Sequence, residues 1–285
     1  METSETIKQN QMKFSVSMCV YGGDNPEHFQ LALSSVLDQT RKPDELVLVV
    51  DGPVPVETRE IIARYEGEPF FKVLYLPENV GHGNARRVGL ENCSNELVAL
   101  MDADDISIRT RFDRQIECFK QNPEIDVLGG NITEFIDNPE NIIGSREVPQ
   151  NDWEIKEYLK RRCPFNQVTV MFKRSAVEAV GGYLDWPFEE DYFLWLRMYQ
   201  NGSVFHNLDD CLALVRVGKD LYKRRGGLQY FLSEAKLQKY MWVNGIIGFP
   251  RFVQNVIIRF VVQVLMPSSV RGFFYSTFAR RPVKR

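Results

Sequence analysis

Long apolar runs, paired cysteines and nucleotide-loop glycine signatures are all missing from this 285-residue chain. No uninterrupted apolar stretch reaches the ~20 residues that a helix needs to cross a bilayer. The N-terminal METSETIKQNQMK is polar and lacks the apolar segment of a secretory signal. Five cysteines (Cys19, Cys93, Cys118, Cys163, Cys211) are scattered, with no Cys-x-x-Cys pair. That excludes a zinc knuckle and a disulfide framework, and points to a reducing, cytoplasmic setting. Three histidines, His28, His82 and His206, stand alone without metal-ligand spacing; His82 reads either as loop filler or as a contact to a bound ligand, the former being favoured. A formal net charge of −3 gives no global basic field, which argues against a nucleic-acid partner. The first turn has no Gly-x-Gly-x-x-Gly, Gly81-His82-Gly83 lacks a third glycine, and no Walker lysine occurs. A Rossmann dehydrogenase and a P-loop NTPase are therefore poor matches.

What is present centres on Leu97 to Met101, a continuously apolar run that ends in Asp102-Ala103-Asp104-Asp105. An uninterrupted apolar run reads as a strand buried on both faces. The carboxyl ends of such strands are where open α/β sheets place ligands. Unpaired carboxylates are expensive next to a core, so these acids call for cations. A hard divalent ion that itself holds phosphates would answer that need.

Upstream, Phe14 to Val20 reads as a strand broken by Tyr21-Gly22-Gly23-Asp24-Asn25, with Asn25 capping a helix that has Pro26 at its first position. Glu45 to Val50 and Phe71 to Leu76 are further strands, with helices over Val56 to Tyr65 and around Arg86 to Leu90. The resulting β-α-β-α-β-α-β rhythm predicts a mostly parallel sheet with helices on both faces. Beyond it, a helix over Arg109 to Gln121, a strand over Asp126 to Thr133 and a loop-rich stretch to Pro149 are expected. A helix over Trp153 to Arg162 and an alternating strand over Gln167 to Lys173 follow. Ser175 then caps a short helix stopped by Gly181-Gly182. Glu189, Glu190 and Asp191 precede the apolar helix Tyr192 to Arg197, where acids suit the helix dipole.

From Arg251 to Arg285 there are seven Arg/Lys and no Asp or Glu. Arg251, Asn255, Arg259 and Gln263 recur every four residues on a helix otherwise made of Phe, Val, Ile and Leu. Two readings fit: a helix lying in a membrane interface with a basic rim, or a helix packed on the preceding domain with arginine stems at its edge. The basic tail Arg280 to Arg285 favours anionic lipid.

The order and spacing of VSMCVYGGD, LVLVVDG, ENVGHGNARRVGL, VALMDADD and FEEDYFLWLRM closely resemble the family-2 inverting glycosyltransferases of GT-A fold, over about Phe14 to Gly227. The later stretch through LMPSSVRGFFY is similar to bacterial members that build capsular, exopolysaccharide or O-antigen units. The resemblance implies a Rossmann-like GT-A domain over 14–227, after a flexible N-terminus (1–13) and before a helical basic extension (228–285). It implies a UDP-sugar donor, Mn²⁺ or Mg²⁺, a lipid-linked saccharide acceptor and a peripheral position on the inner face of the cell membrane.

Residue by residue, Val20 and Tyr21 would frame the uracil and Asp51 would accept from its ring N–H. Gly81 and Arg86 would approach base or phosphates, Asp102 the ribose, and Asp104 (with Asp102) the metal. Arg224 and Arg225 would add diphosphate contacts. Asp191 would be the catalytic base, with Glu190 beside it in support and Glu189 facing solvent. A nucleotidyltransferase is the alternative enzyme, but it normally needs a basic glycine-rich loop after the first strand. A non-catalytic nucleotide-sugar-binding or membrane-scaffold protein is the alternative outside catalysis, and retention of Asp51, Asp102, Asp104 and Asp191 argues against it.

Overall fold

The computed structural model describes residues 12–218 and 226–267. Strands β1 (Phe14–Tyr21), β2 (Glu45–Asp51), β3 (Phe71–Tyr75) and β4 (Leu97–Met101) alternate with helices α1 (Pro26–Leu37), α2 (Val56–Ala63) and α3 (His82–Glu91). Asn25 caps α1 by accepting from the N–H groups of Glu27 and His28. All four strands run parallel, in the order β3-β2-β1-β4. The chain leaves β1 to one side and returns to its other side at β4. That reversal is a topological switch point, and it places a ligand crevice at the carboxyl ends of β1 and β4.

Alternate residues of each strand enter opposite cores. Leu46, Leu48 and Val50 of β2, with Leu97, Ala99 and Met101 of β4, face Phe29, Leu33, Ile61, Phe112 and Phe119. Val47, Val98 and Leu100 face Leu90, Ile155, Leu159, Trp195 and Leu196 on the other side. Each such fully buried aliphatic side chain is worth about 1.5–3 kcal/mol.

Beyond β4 the expected parallel pattern gives way. Short strand β5 (Ile106–Ser107), helix α4 (Arg111–Gln121), strands β6 (Val127–Phe135) and β7 (Ile142–Arg146), and helix α5 (Asp152–Leu159) come next. A 3₁₀ turn (Gln167–Thr169), β8 (Met171–Lys173), α6 (Arg174–Glu178), α7 (Glu190–Gln200) and β9 (Phe205–Arg216) complete this part. β8 lies antiparallel between β4 and β6, β7 is antiparallel to β6, and β5 is antiparallel to β9, while β6 and β9 are parallel. The sheet is therefore mixed, but its four parallel pairings, which include the whole β3-β2-β1-β4 half, are each longer than any of its four antiparallel ones.

Three local expectations are corrected. The stretch to Pro149 contains β7, whose Ile142 and Ile143 were outweighed by flanking Asn, Asp and Pro. Gln167 to Lys173 is half 3₁₀ turn, because Asn166 O and Gln167 O accept from Thr169 N and Val170 N. The helix after β8 starts at Arg174 rather than behind Ser175, whose hydroxyl donates to Glu96 instead.

Helices α8 (Leu228–Val243) and α9 (Phe249–Phe260), the latter continued by a π turn (Val261–Leu265), form a hairpin. Leu237, Met241, Ile246 and Ile247 join the core that holds α7. Of the N-terminal residues 1–13, only Met12 and Lys13 are described, and Arg224, Arg225 and the tail from 268 also lie outside the described residues.

Candidate active site

Strand register brings the carboxylates of the crevice together. Tyr21 pairs with Asp51 across β1 and β2, and Met18 pairs with Met101 across β1 and β4. Asp102 therefore emerges beside Cys19. Burial pushes the Cys19 thiol up to about 12; Arg86 opposes this, and the charges of Asp102, Asp51 and Asp24 add to it. One thiol thus senses carboxylates from three separate loops. Asp24 accepts from Tyr21 N–H at 3.0 Å, and its carboxyl is raised by burial and by Asp102.

The loop after β3 closes one wall. Asp51 is buried, and its Oδ1 accepts from Val80 N–H at 2.7 Å. Gly52 has φ +81°, and a Cβ there would sit 2.7 Å from Asn79 N, so only glycine lets the two loops meet. Val20 is 1% exposed and can offer a ligand only its backbone, whereas the Tyr21 ring is 46% exposed and free to stack. Gly81 precedes α3 at φ +86°.

Arg86, expected at the base or phosphates, is buried on α3 and pairs through Nη2 with Asp102 Oδ1. Its Nε donates to His82 Nε2 at 2.9 Å, and His82 Nδ1 lies 3.1 Å from Glu190 Oε1. Since Nε2 accepts, Nδ1 carries the proton and donates to Glu190. His82 is therefore a bridge, not loop filler. The chain Asp102–Arg86–His82–Glu190 ties the end of β4 to the head of α7. Close packing supports it, as a Cβ on Gly83 would meet Glu190 Cβ at 3.3 Å. Arg86 Nη1 is buried and makes no hydrogen bond with any described residue.

Asp191, next to Glu190, opens α7. Its Oδ1 accepts from Tyr192 N–H at 2.6 Å, and Cys163 Sγ stands 3.8 Å from its Oδ2. Burial and then the Glu190 charge raise its carboxyl from 3.8 to about 6. At Glu190 burial is the largest influence and acts upward, but His82, a backbone hydrogen bond and the Arg86 charge together outweigh it and hold the group below its ordinary value. The two neighbouring acids are thus driven apart, one a ready anion and one a base near neutrality. Arg146 donates to the carbonyls of Cys163 and Phe165, fixing the segment beneath Asp191.

Glu189 does not face solvent. It is 7% exposed and accepts from Tyr230 Oη at 2.8 Å. Burial, then Glu234 and Asp191, raise its carboxyl well above the ordinary value.

Asp104 is half-buried, while Asp105 is buried and accepts from Arg216 N–H at 2.8 Å. Arg216 Nε reaches Asp104 O at 3.2 Å, so the end of β9 clamps the acidic loop. Burial, then Asp104 and Asp102, push the Asp105 carboxyl well up. Such crowding of like charge is what a cation relieves. Among the described residues no three His, Cys, Asp or Glu side chains could hold a metal by themselves. One or two carboxylates completed by phosphate oxygens and water is the ordinary arrangement for Mg²⁺-type ions, and the acids here fit it. Sequence alone did not reveal Arg216, Arg146 or Cys163. Arg216 meets Asp105 across 111 residues of chain, and no local pattern marks the pair.

Comparison with known proteins agrees with this geometry. A model described as "Glycosyl transferase family 2" matches residues 15–180. A UDP-Gal:alpha-D-GlcNAc-diphosphoundecaprenol beta-1,3-galactosyltransferase of Escherichia coli is 35% identical over 94% of this chain and 97% of its own. An amylovoran biosynthesis glycosyltransferase of Erwinia amylovora is 34% identical over 92% of this chain and 97% of its own. Among solved structures, S. aureus TarS 1-349 with UDP-GlcNAc superposes with a TM-score of 0.64 at 18% identity, covering 88% of this chain and 73% of that one. A Pyrobaculum calidifontis mannosyltransferase with GDP-Man and Mn²⁺ gives 0.59 at 16% identity over 93% and 75%. With its carboxylates gathered at the switch point of a GT-A sheet and more than nine-tenths of its length aligned to such enzymes, this chain belongs to glycosyl transferase family 2 and is a glycosyltransferase.

Proposed function

We propose that this enzyme transfers a hexose from a UDP-sugar to a hydroxyl of a lipid-linked saccharide, with inversion, during cell-surface polysaccharide assembly at the cytoplasmic face of the membrane. The observation that carries the reading is the placement of Asp191 at the head of α7, tied through Glu190, His82 and Arg86 to Asp102 in the donor crevice. The names of the Escherichia coli and Erwinia relatives support the donor and acceptor classes.

Tyr21 stacks on the uracil, Val20 and Gly81 meet it through backbone, and Asp51 accepts from its ring N–H. Asp102, fixed by Arg86, accepts from the ribose. Arg86, buried behind Asp102, acts on the nucleotide by holding that carboxylate in place. Asp104, with Asp102, would hold Mn²⁺ or Mg²⁺, which would neutralise charge on the departing UDP. Arg224 and Arg225 add to the diphosphate contacts. Asp191 takes the proton of the acceptor hydroxyl as its oxygen bonds to the anomeric carbon. The bond from that carbon to the phosphate oxygen breaks, and UDP leaves with the electron pair. Residues 14–227 perform this chemistry, and 228–285 hold the enzyme at the membrane.

The test is transfer from UDP-galactose and UDP-glucose to a short-tailed lipid diphosphate GlcNAc acceptor with Mn²⁺. Asp191→Asn is expected to bind UDP and transfer nothing. Turnover by that variant at the normal rate would remove Asp191 from the mechanism. Pyrophosphate release from a nucleoside triphosphate would replace the reading with nucleotidyl transfer.

A further inference from the structure

The C-terminal hairpin is amphipathic in the reverse of the usual sense. On α9 and its π turn, Phe249, Val253, Ile257, Val261 and Leu265 recur every four residues, and so do Arg251, Asn255, Arg259 and Gln263. The two sets are offset by two positions, about 200° around a helix, and so lie on opposite faces. In a soluble helix the apolar set would be inside. Here the polar set is inside. Asn255 and Gln263 are 5% and 3% exposed, whereas Ile257, Val261 and Leu265 are 56%, 42% and 62% exposed.

The polar stripe is held by specific partners, which fixes this orientation. Asn255 Nδ2 donates to Gln238 Oε1 at 2.8 Å and to Lys160 O at 3.2 Å. Arg259 pairs with Glu234 at 2.8 Å with both side chains nearly buried, and its Nη2 donates to Arg161 O at 2.9 Å. Turning α9 over to hide its apolar stripe would strand these groups.

We infer that the outer face of the α8–α9 hairpin docks the enzyme on an anionic lipid bilayer. This deepens the membrane-facing part of the function proposed above and rests on it. Charge selects lipid over a second copy of the chain. Between 228 and 267 the single acid is Glu234, which is turned inward against Arg259, while Lys239 is exposed and the ammonium of Lys236 lies over the Trp186 ring at 4.4 Å. Residues 268–285, which follow directly, add five Arg/Lys and no acid. Self-association through this face would bring two basic segments to one interface, whereas anionic headgroups match them. At the hairpin tip Trp242 stacks on Phe252 at 5.1 Å and lies 5.2 Å from Phe249, an aromatic cluster of the kind that settles at headgroup level. On its inner side α8 bonds Glu189 through Tyr230 and Pro187 O through Ser233 Oγ, so the hairpin is anchored to the segment that leads into the helix carrying Asp191.

The experiment is co-sedimentation of the full chain with vesicles of phosphatidylcholine alone or mixed equally with phosphatidylglycerol. Wild type is expected to sediment with the mixed vesicles and poorly with the neutral ones. The double variant Ile257→Glu, Leu265→Glu is expected to lose about tenfold or more in vesicle affinity while keeping its unfolding temperature and its UDP-induced stabilisation. As a second readout, brominated lipid is expected to quench wild-type tryptophan emission, and Trp242→Phe to remove that quenching. Failure of wild type to bind mixed vesicles would overturn the inference. So would unchanged sedimentation of the double variant, or a dimer that the same substitutions split. Absence of transfer to a soluble acceptor from any UDP-sugar would instead refute the proposed reaction and leave the vesicle result standing.

Discussion

The carboxyl of Asp191 should cost this enzyme stability at the pH where it works. Its value rises from 3.8 to about 6, first through burial and then through Glu190. A carboxyl whose pKa is higher folded than unfolded keeps an extra proton in the folded state between those two values. Stability therefore falls as pH rises from about 4 to about 6, and the loss is complete above that window. At ~1.4 kcal/mol per pH unit the full effect is roughly 3 kcal/mol. Part of the residue's surface reaches solvent, which trims it to about 1–3 kcal/mol. Asn has the shape of the neutral acid and carries no charge. Asp191→Asn should accordingly unfold at a higher temperature than wild type at pH 8, and the difference should vanish by pH 4, while transfer is lost. The same shift sets an acid limb for catalysis. About one-eleventh of a group titrating near 6 is ionised at pH 5 and about ten-elevenths at pH 7, so kcat/KM should drop roughly tenfold between them. Glu190→Gln should move that limb to lower pH, because it removes a charge that holds Asp191 up. Thermal melts and rate profiles across pH 4 to 8 decide the matter. Equal melting of the two proteins at pH 8, or a flat profile from pH 5 to 8, would refute the reasoning.

Arg86→Met should cost about 1–2 kcal/mol of stability, because it leaves the partly exposed Asp102 and the His82 Nε2 without their partner. It should also weaken UDP binding measured by calorimetry, and Arg86→Lys should not restore it, since an ammonium cannot reach Asp102 and His82 together. Gly52→Ala should destabilise by about 1 kcal/mol or more, from its φ of +81° and the 2.7 Å approach to Asn79 N, with loss of UDP affinity as the wall moves. Removal of divalent ions with EDTA should stop transfer and shrink UDP-induced stabilisation, and Mn²⁺ or Mg²⁺ should restore both, as followed by thermal shift.

The crevice at the carboxyl ends of β1, β2 and β4 was legible because its information is local. An apolar run that ends in acids marks a strand and its carboxyl edge together, so β1, β2 and β4 and the loops carrying Tyr21, Asp51 and Asp102 could be read from single windows of sequence. The second half of the sheet could not. β9 passes through Asn207, Asp209 and Asp210, and its register with β6 shifts on either side of Asn131, so no period of two survives. Contacts between distant segments were equally silent. Arg216 reads as an isolated basic residue until β9 places it on Asp105, and His82 as loop filler until α3 and α7 meet at Gly83. Glu189 shows the same limit from the other direction. Acids before a helix look solvated in one dimension, and only the packing of α8 turns this one inward onto Tyr230.

That inward turn bears on catalysis as well as on folding. Three acids in succession open α7, and each is held by a different part of the molecule. Glu189 is held by α8, Glu190 by His82 of α3, and Asp191 by its own helix start and Cys163. Glu190 raises Asp191 and Asp191 raises Glu189, so the three acids are linked, one end answering to the hairpin and the other to the crevice. Were the hairpin merely an appendage, Tyr230→Phe would leave the acid limb of catalysis where it is. Because the Tyr230 hydroxyl favours the charged form of Glu189, which in turn faces Asp191, its removal should make Glu189 neutral more often and so let Asp191 ionise at lower pH. The expected result is an acid limb displaced downward with UDP affinity intact. An unmoved limb would mean that the hairpin positions the enzyme without tuning its base.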